Sequence, residues 1–164
     1  GAVLALTKAG QETVAKALKT LNDKVGEYTK VYLDTAKKYL DDEWAIAFNV
    51  HIGKIYEMAA SQVSDPKYPD VVEKFINMMK KAIEAGGGDA FEFEERVKQA
   101  VFTNTLTNAN QTWDKLAKDA YRASIKLGQD QGISNDWTRL ARKFLSAIDP
   151  ASPYVNEPKV VPAQ

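Results

Sequence analysis

The residues in this chain that could do chemistry are few, and their spacing restricts them further. Among 164 residues there is one histidine, His51, and no cysteine. Cysteine-ligated zinc, iron–sulfur clusters, thiol nucleophiles and disulfide scaffolds are therefore excluded together. A carboxylate di-metal bundle needs inward glutamates and a Glu-x-x-His pair on each of two helices. His51 has no such partner: the nearest acid on its helix is Glu57, six residues on and off its face. It reads instead as a boundary histidine packed beside Trp44 and Ile55, with one ring nitrogen in water. Ser61 and Ser64 lie in the same region, but there is no Gly-x-Ser-x-Gly elbow, and serines at helix ends are usually caps.

Three loop motifs fail for stated reasons. Gly86-Gly87-Gly88 precedes a helix and could offer amides to an anion. A phosphate loop then needs Lys and Ser or Thr, whereas Asp89-Ala90-Phe91 follows and Asp89 repels phosphate. The glycines read as a hinge. Asp130 to Asp136 has the look of a calcium loop, but its twelfth position is Ala141 and the bidentate carboxylate is missing. Asn110-Gln111-Thr112 fits a glycosylation triplet inside a helical seam and is treated as silent. The paired carboxylates Asp41-Asp42 and Glu94-Glu95 fall in charged, solvated runs, without the burial that tunes an acid for catalysis. No catalytic residue, metal or cofactor is expected, and the chain reads as a non-enzyme.

The bulk properties narrow the partners. Lys plus Arg number 22 and Asp plus Glu number 22. That balance argues against nucleic acid, which needs clustered positive charge, and against a polybasic membrane-surface protein. The longest apolar runs, Ala2 to Leu6 and Trp44 to Phe48, are far short of the roughly 20 residues of a spanning helix. The first residues lack the basic start and full apolar core of a signal peptide. The chain opens on Gly, which reads as a mature or excised form. At 45% apolar and 27% charged residues, the composition is that of a folding domain, not a disordered chain.

The elements that would position any site are helices. Val14, Leu18, Leu21, Val25, Tyr28, Tyr32, Thr35 and Tyr39 step by 4, 3, 4, 3, 4, 3 and 4, an a/d heptad seam. Thr7 is its expected N-cap. Phe102, Leu106, Ala109, Trp113, Leu116, Ala120, Ala123 and Leu127 repeat the same stepping. The weak helix formers between Phe102 and Asn108 predict a bend there or tertiary override. Between the seams lie a helix carrying Trp44, Phe48, His51, Ile52, Ile55, Ala59 and Val63, a Pro66/Pro69 turn, and a helix from Asp70 ending at the three glycines. Whether the first two helices are continuous is left open by Asp41-Asp42-Glu43. Asp89 with Glu92 predicts a capping box. Gly128 and Gly132 are expected to end the second seam, and Ser134 to cap a last helix bearing Trp137 and Leu145.

The expected fold is all-α: an elongated antiparallel bundle of about five helices, in which 14–39 pairs with 102–127. Residues 1–148 form the bundle, and 149–164, with four prolines, form an extended arm or linker. The expected function is a helical protein–protein interaction module, whose partner is another protein or its own parent chain, with room for an oligomer. Candidate contact residues are Tyr28, Tyr32 and Tyr39 on the first seam and Trp137, Arg139 and Arg142 on the last helix, because Tyr, Trp and Arg are the usual anchors. A carrier of an apolar small molecule is the first alternative, with Trp44, Phe48, Met79 and Trp113 as its lining. A pore-forming or membrane-active protein is the second. Cysteine-free, Lys-rich helical rods lean towards an exported bacterial toxin or phage particle, that is, a segment of a larger assembly.

Overall fold

The structure is a computed structural model and describes residues 2–64 and 70–156. All regular structure among them is helical: α1 (Ala2–Tyr39), α2 (Asp42–Ser64), α3 (Asp70–Ala85), α4 (Ala90–Lys98), α5 (Asn104–Gln131) and α6 (Asp136–Ile148). A π-helical turn, Gln99–Thr103, joins α4 to α5. There are six α-helices where about five were expected, because the fourth is split. The π turn falls at the edge of the poor helix formers Thr103, Asn104 and Thr105, where a local change of winding costs least. Residues 65–69, with the two prolines, and 157–164, half of the expected arm, lie outside the described residues.

Helix boundaries follow from capping chemistry. α1 begins at Ala2, so Thr7 is inside it and not its cap. α1 and α2 are separate. Leu40 takes a left-handed backbone, φ +43°, and its N–H donates to Ala36 O at 3.2 Å. The Asp41 carboxylate then accepts from the N–H groups of Glu43 and Trp44, at 2.9 and 3.1 Å, and starts α2. α3 and α5 end alike. Gly87 (φ +75°) and Gly132 (φ +67°) supply the left-handed residue. The next N–H reaches back to Ile83 O and to Gly128 O, at 2.8 Å in both cases. Gly128 is therefore inside α5 and does not end it. A Cβ there would stand 2.6 Å from Thr138 Cγ2 and 2.8 Å from Ile133 O, so it is the glycine that admits α6. The cap of α6 is Asn135, one residue after Ser134, in a reciprocal box with Thr138. Asp89 caps α4, accepting from the N–H groups of Phe91 and Glu92, but the expected box is half made, because the Glu92 carboxylate pairs with Arg96.

Contacts divide the chain into two compact units. The first holds residues up to Lys24 and Ala59–Thr112. Phe75 and Phe93 meet with centroids 6.5 Å apart, and Lys80 pairs with Glu94 at 2.7 Å, fixing α3 on α4. Gln11 Nε2 donates to Ala100 O at 2.9 Å. That bond sets the start of α1 beside the start of the second seam, whereas antiparallel pairing of 14–39 with 102–127 would put Gln11 near the opposite end of α5.

The second unit holds Val25–Met58 and the chain from Trp113 on. Its core is Val50, Ala117, Tyr121, Ile125, Ala141 and Leu145. Burying Ile125 or Leu145 contributes about 1.5–3 kcal/mol each. Here the antiparallel neighbour of α5 is α2: Ser124 Oγ donates to Ile46 O at 3.1 Å, and Tyr121 Oη donates to Glu57 at 2.6 Å. The segment after α6 is not extended as far as Asn156. It turns twice, with Ser152 N–H on Asp149 O and Val155 N–H on Ser152 O, and lays Tyr154 and Val155 on the core. Asp149 also pairs with Arg122 of α5.

The two seams differ from strict heptads at matching points. Along α1 the covered stripe is Val14, Leu18, Leu21, Val25, Thr29, Tyr32 and Ala36; along α5 it is Leu106, Asn110, Trp113, Ala117, Tyr121, Ser124 and Gly128. Both step by 4, 3, 4, 4, 3 and 4. Thr29 is 5% exposed and Ala117 0%, whereas their expected counterparts Tyr28 and Leu116 are 57% and 36% exposed. A straight helix drifts against a seven-residue repeat by about 20° per heptad, and the extra four-residue step absorbs that drift.

Candidate functional site

The second unit carries a run of aromatic rings on its surface. Trp44 stacks on Phe48 with centroids 5.8 Å apart and planes at 27°. Phe48 meets Tyr32 at 5.8 Å. Tyr32 lies nearly parallel to His51, 5.2 Å apart at 9°. His51 then meets Trp137 at 5.1 Å and 56°. The helical register explains the ladder. Trp44, Phe48 and His51 are spaced 4 and 3 on α2 and share one face. Tyr32 arrives from the covered stripe of α1. Trp137 arrives from the first turn of α6, which Asn135 and Gly128 set in place. None of the five rings is fully buried: Trp44 is exposed and the other four are half-buried. Offset and tilted ring pairs of this kind contribute about 0.5–1.5 kcal/mol each beyond area burial.

At the Trp44 end the ladder opens into a groove of about 420 Å³ lined by Thr35, Tyr39, Trp44 and Phe48. Tyr39 is 59% exposed, and the adjoining Leu40 is 87% exposed. Lys38 holds its ammonium 5.4 Å from the centre of the Tyr39 ring. Asp41, Asp42 and Glu43 follow at the start of α2, all exposed.

Beneath this surface α2 and α5 make an unusually close approach. A Cβ on Gly53 would lie 2.4 to 2.9 Å from three ring carbons of Tyr121. The missing side chain lets the ring lie flat against α2, and one turn on, Glu57 accepts the phenol proton. Glu57 also pairs with Lys54 at 3.1 Å, and the Lys54 ammonium sits 4.1 Å from the centre of the Phe144 ring. Burial holds the Tyr121 phenol well above the usual tyrosine range, and its hydrogen bond to the Glu57 carboxylate pushes it further the same way. The arrangement is a positioning lock, with no open substrate face at the phenol.

The candidates named from sequence sort as follows. Tyr32, Tyr39, Trp137, Trp44 and Phe48, proposed for two different roles, converge on one surface. Tyr28 is exposed but off the stripe. Arg139 is exposed and paired with Asp136, and Arg142 is half-buried on α6. Trp113 is a core residue at 4% exposure, and Met79 is half-buried in the first unit, so neither lines the groove with Trp44. His51 stacks on Tyr32 and meets Trp137, two ring neighbours that come from other helices. Its place in the ladder, and the Gly53–Tyr121–Glu57 contact, were missed. The available signal for the second was a glycine in the middle of a helix, four residues before an acid. Among the described residues, no group of three or more His, Asp or Glu could hold a metal ion, and no helix is long and apolar enough to cross a membrane. No protein-family model, curated protein or solved structure matches the chain, so the reading of this surface rests on its own residues.

Proposed function

We propose that this chain is a non-enzymatic helical interaction module, and that the aromatic ladder is the face that meets a partner protein. The observation that carries this reading is the continuity of five rings from three helices, each left with an accessible edge. Aromatic side chains offer much contact area for little rotamer entropy, and Tyr and Trp dominate interface hot spots. α2, which carries three of the five rings, is tied to α5 by the Tyr121–Glu57 hydrogen bond, and a docked helix loses less freedom on association. Leu40, next in the chain to Tyr39, is a bulky apolar residue that sits exposed in a left-handed backbone, a conformation that costs about 1–2 kcal/mol for a residue with a Cβ.

The test is site-specific crosslinking in the source cell. A photoreactive phenylalanine derivative replaces Trp44 or, separately, Trp137, with control positions Lys24 and Gln111 on the first unit. The reading expects one and the same protein adduct from both ladder positions and from neither control. Adducts of equal yield from all four positions, or none from the ladder positions, would reject it.

A further inference from the structure

We infer that two copies of this chain pair through the outer face of α1, antiparallel and related by a twofold axis. Tyr28, Val31, Thr35 and Tyr39 step by 3, 4 and 4, so they stand in one row along three turns of α1. The row lies about a quarter turn from the covered stripe of Val25, Thr29, Tyr32 and Ala36. Lys24 bounds it at one end, and the end of the helix bounds it at the other. Tyr28, Val31 and Tyr39 are each more than half exposed. Single exposed apolar side chains need no explanation, but three in one row form a patch. The Thr35 hydroxyl donates to Val31 O at 2.7 Å, so its one donor is satisfied within α1.

The row selects a second copy because it complements its own reverse. Turned end for end, it sets Tyr28 opposite Tyr39 and Val31 opposite Thr35. On its solvent-side flank, Glu27 and Lys38 share nearly one bearing, eleven residues and three turns apart. The midpoints of all three pairs fall within half a residue of Leu33, about 1 Å along the helix axis. One twofold axis at that level satisfies all three, and each contact is made twice. Glu27 of each copy then meets the partner's Lys38. Among the described residues Glu27 makes no ion pair, and the Lys38 ammonium stands over Tyr39. Asp34, the other charge on that flank, is already paired with Lys30. The groove adjoins the row, since Thr35 and Tyr39 line it with Trp44 and Phe48. The partner's Tyr28 arrives opposite Tyr39, and a neutral phenol suits these aromatic walls without any local charge. The Tyr39 hydroxyl and the Trp44 indole N–H are the remaining polar groups there, and a phenol hydroxyl can bond with either. A face of three turns is small, below the roughly 1,200 Å² of a stable complex, so a dissociation constant on the order of 10–100 µM is expected.

This pairing goes beyond the proposed partner face, because it names a second copy and leaves His51 and Trp137 free. A self-adduct differs in mass from an adduct with another protein, so the two readings fail separately. The experiment is sedimentation velocity of the whole chain from about 5 µM to about 1 mM, where a reversible dimer is expected. Tyr28→Ala, at an exposed position, should weaken it about 10-fold or more and should remove any concentration-dependent shift of the Trp44 indole resonance. Glu27→Lys and Lys38→Glu should each weaken it about 3- to 20-fold, and the two combined in one chain should restore it. Single cysteines report the register, because the chain has none of its own. A Val31→Cys chain mixed with a Thr35→Cys chain should form the mixed disulfide faster than either forms its own, since like positions stand about 6 Å apart along the axis. Leu33→Cys, at the same level on the opposite side of α1, should not cross-link. A chain that stays monomeric at about 1 mM would overturn the inference. So would faster self-pairing of Val31→Cys, failure of the combined charge reversal to restore the dimer, or a dimer lost with Trp137→Phe and kept with Tyr28→Ala.

Discussion

Gly53 and Gly26 both sit inside helices, and replacing them with alanine should move stability in opposite directions. At Gly53 the new methyl would meet Tyr121 Cε1, Cδ1 and Cζ at 2.4, 2.7 and 2.9 Å. Carbon atoms settle at about 3.5–4.0 Å, so the ring must retreat by about 1 Å. It has nowhere to go: Tyr121 is fully buried against Val50, Ala117 and Ile125. Overpacking of this kind costs about 1–3 kcal/mol. The retreat also stretches the 2.6 Å bond to Glu57, and a hydrogen bond to a charged group contributes about 1.5–3 kcal/mol. Alanine returns about 1 kcal/mol in helix propensity. The expected net loss is about 2–4 kcal/mol. At roughly 2–4 °C per kcal/mol for a chain of this size, Gly53→Ala should lower Tm by roughly 5–15 °C. At Gly26 a Cβ meets nothing within 4 Å. Gly26→Ala should therefore raise stability by about 0.4–1 kcal/mol. Thermal unfolding followed by far-ultraviolet circular dichroism and by tryptophan fluorescence reads both variants. Gly53→Ala melting at or above the parent would refute the close-approach argument, whatever Gly26→Ala does.

Three further outcomes are expected. Leu40→Gly relieves a left-handed backbone at a site with almost no burial to lose, and should raise stability by about 1 kcal/mol; a drop in Tm would mean the φ of +43° costs nothing. Asn135→Ala removes the cap of α6 and should cost about 1 kcal/mol in denaturant unfolding, while Ser134→Ala one residue earlier should be neutral. Tyr121 provides a pH signature. Its folded pKa lies above the ordinary 10.0, so its contribution to stability is complete below that pH and is lost as pH rises beyond it. In an ultraviolet titration one of the seven tyrosines should resist ionisation until the chain unfolds, and Tyr121→Phe should abolish that late step.

Punctuation was legible in part, since Thr7 and Gly128 lie inside helices and Ser134 stands one residue before the true cap. Gly87, Gly132 and Asp89 act as their chemistry predicts, because a left-handed C-terminal residue and a carboxylate N-cap are local requirements. The helical class was legible for the same reason, since three-and-four stepping is a property of one segment at a time. Which residue of a neighbouring pair faces inward was less so. Choosing Leu116 over Ala117 and Tyr28 over Thr29 followed strict alternation of four and three, but the position of the stripe is set by helix winding, which inserts a second step of four and brings small residues inward. The partner of each helix could not be read, because equal seam lengths do not specify who packs on whom. His51 was judged against metal spacing on its own helix, whereas its real neighbours, Tyr32 and Trp137, come from two other helices. Ring ladders of that kind exist only after docking.

The eleven-residue rhythm shared by α1 and α5 makes the length of these rods discontinuous. Adding one residue between Val14 and Val25 would rotate everything beyond it by about 100° and swing Val25, Thr29 and Tyr32 towards water. Adding eleven would complete three turns and return every later side chain to its former bearing. Seven residues fall short of two turns by about the same 20° by which eleven pass three, so resizing by evolution or by design is confined to lengths near a whole number of turns, and a single-codon insertion in either rod should act as a frame error of the surface, though the reading frame of the gene stays intact.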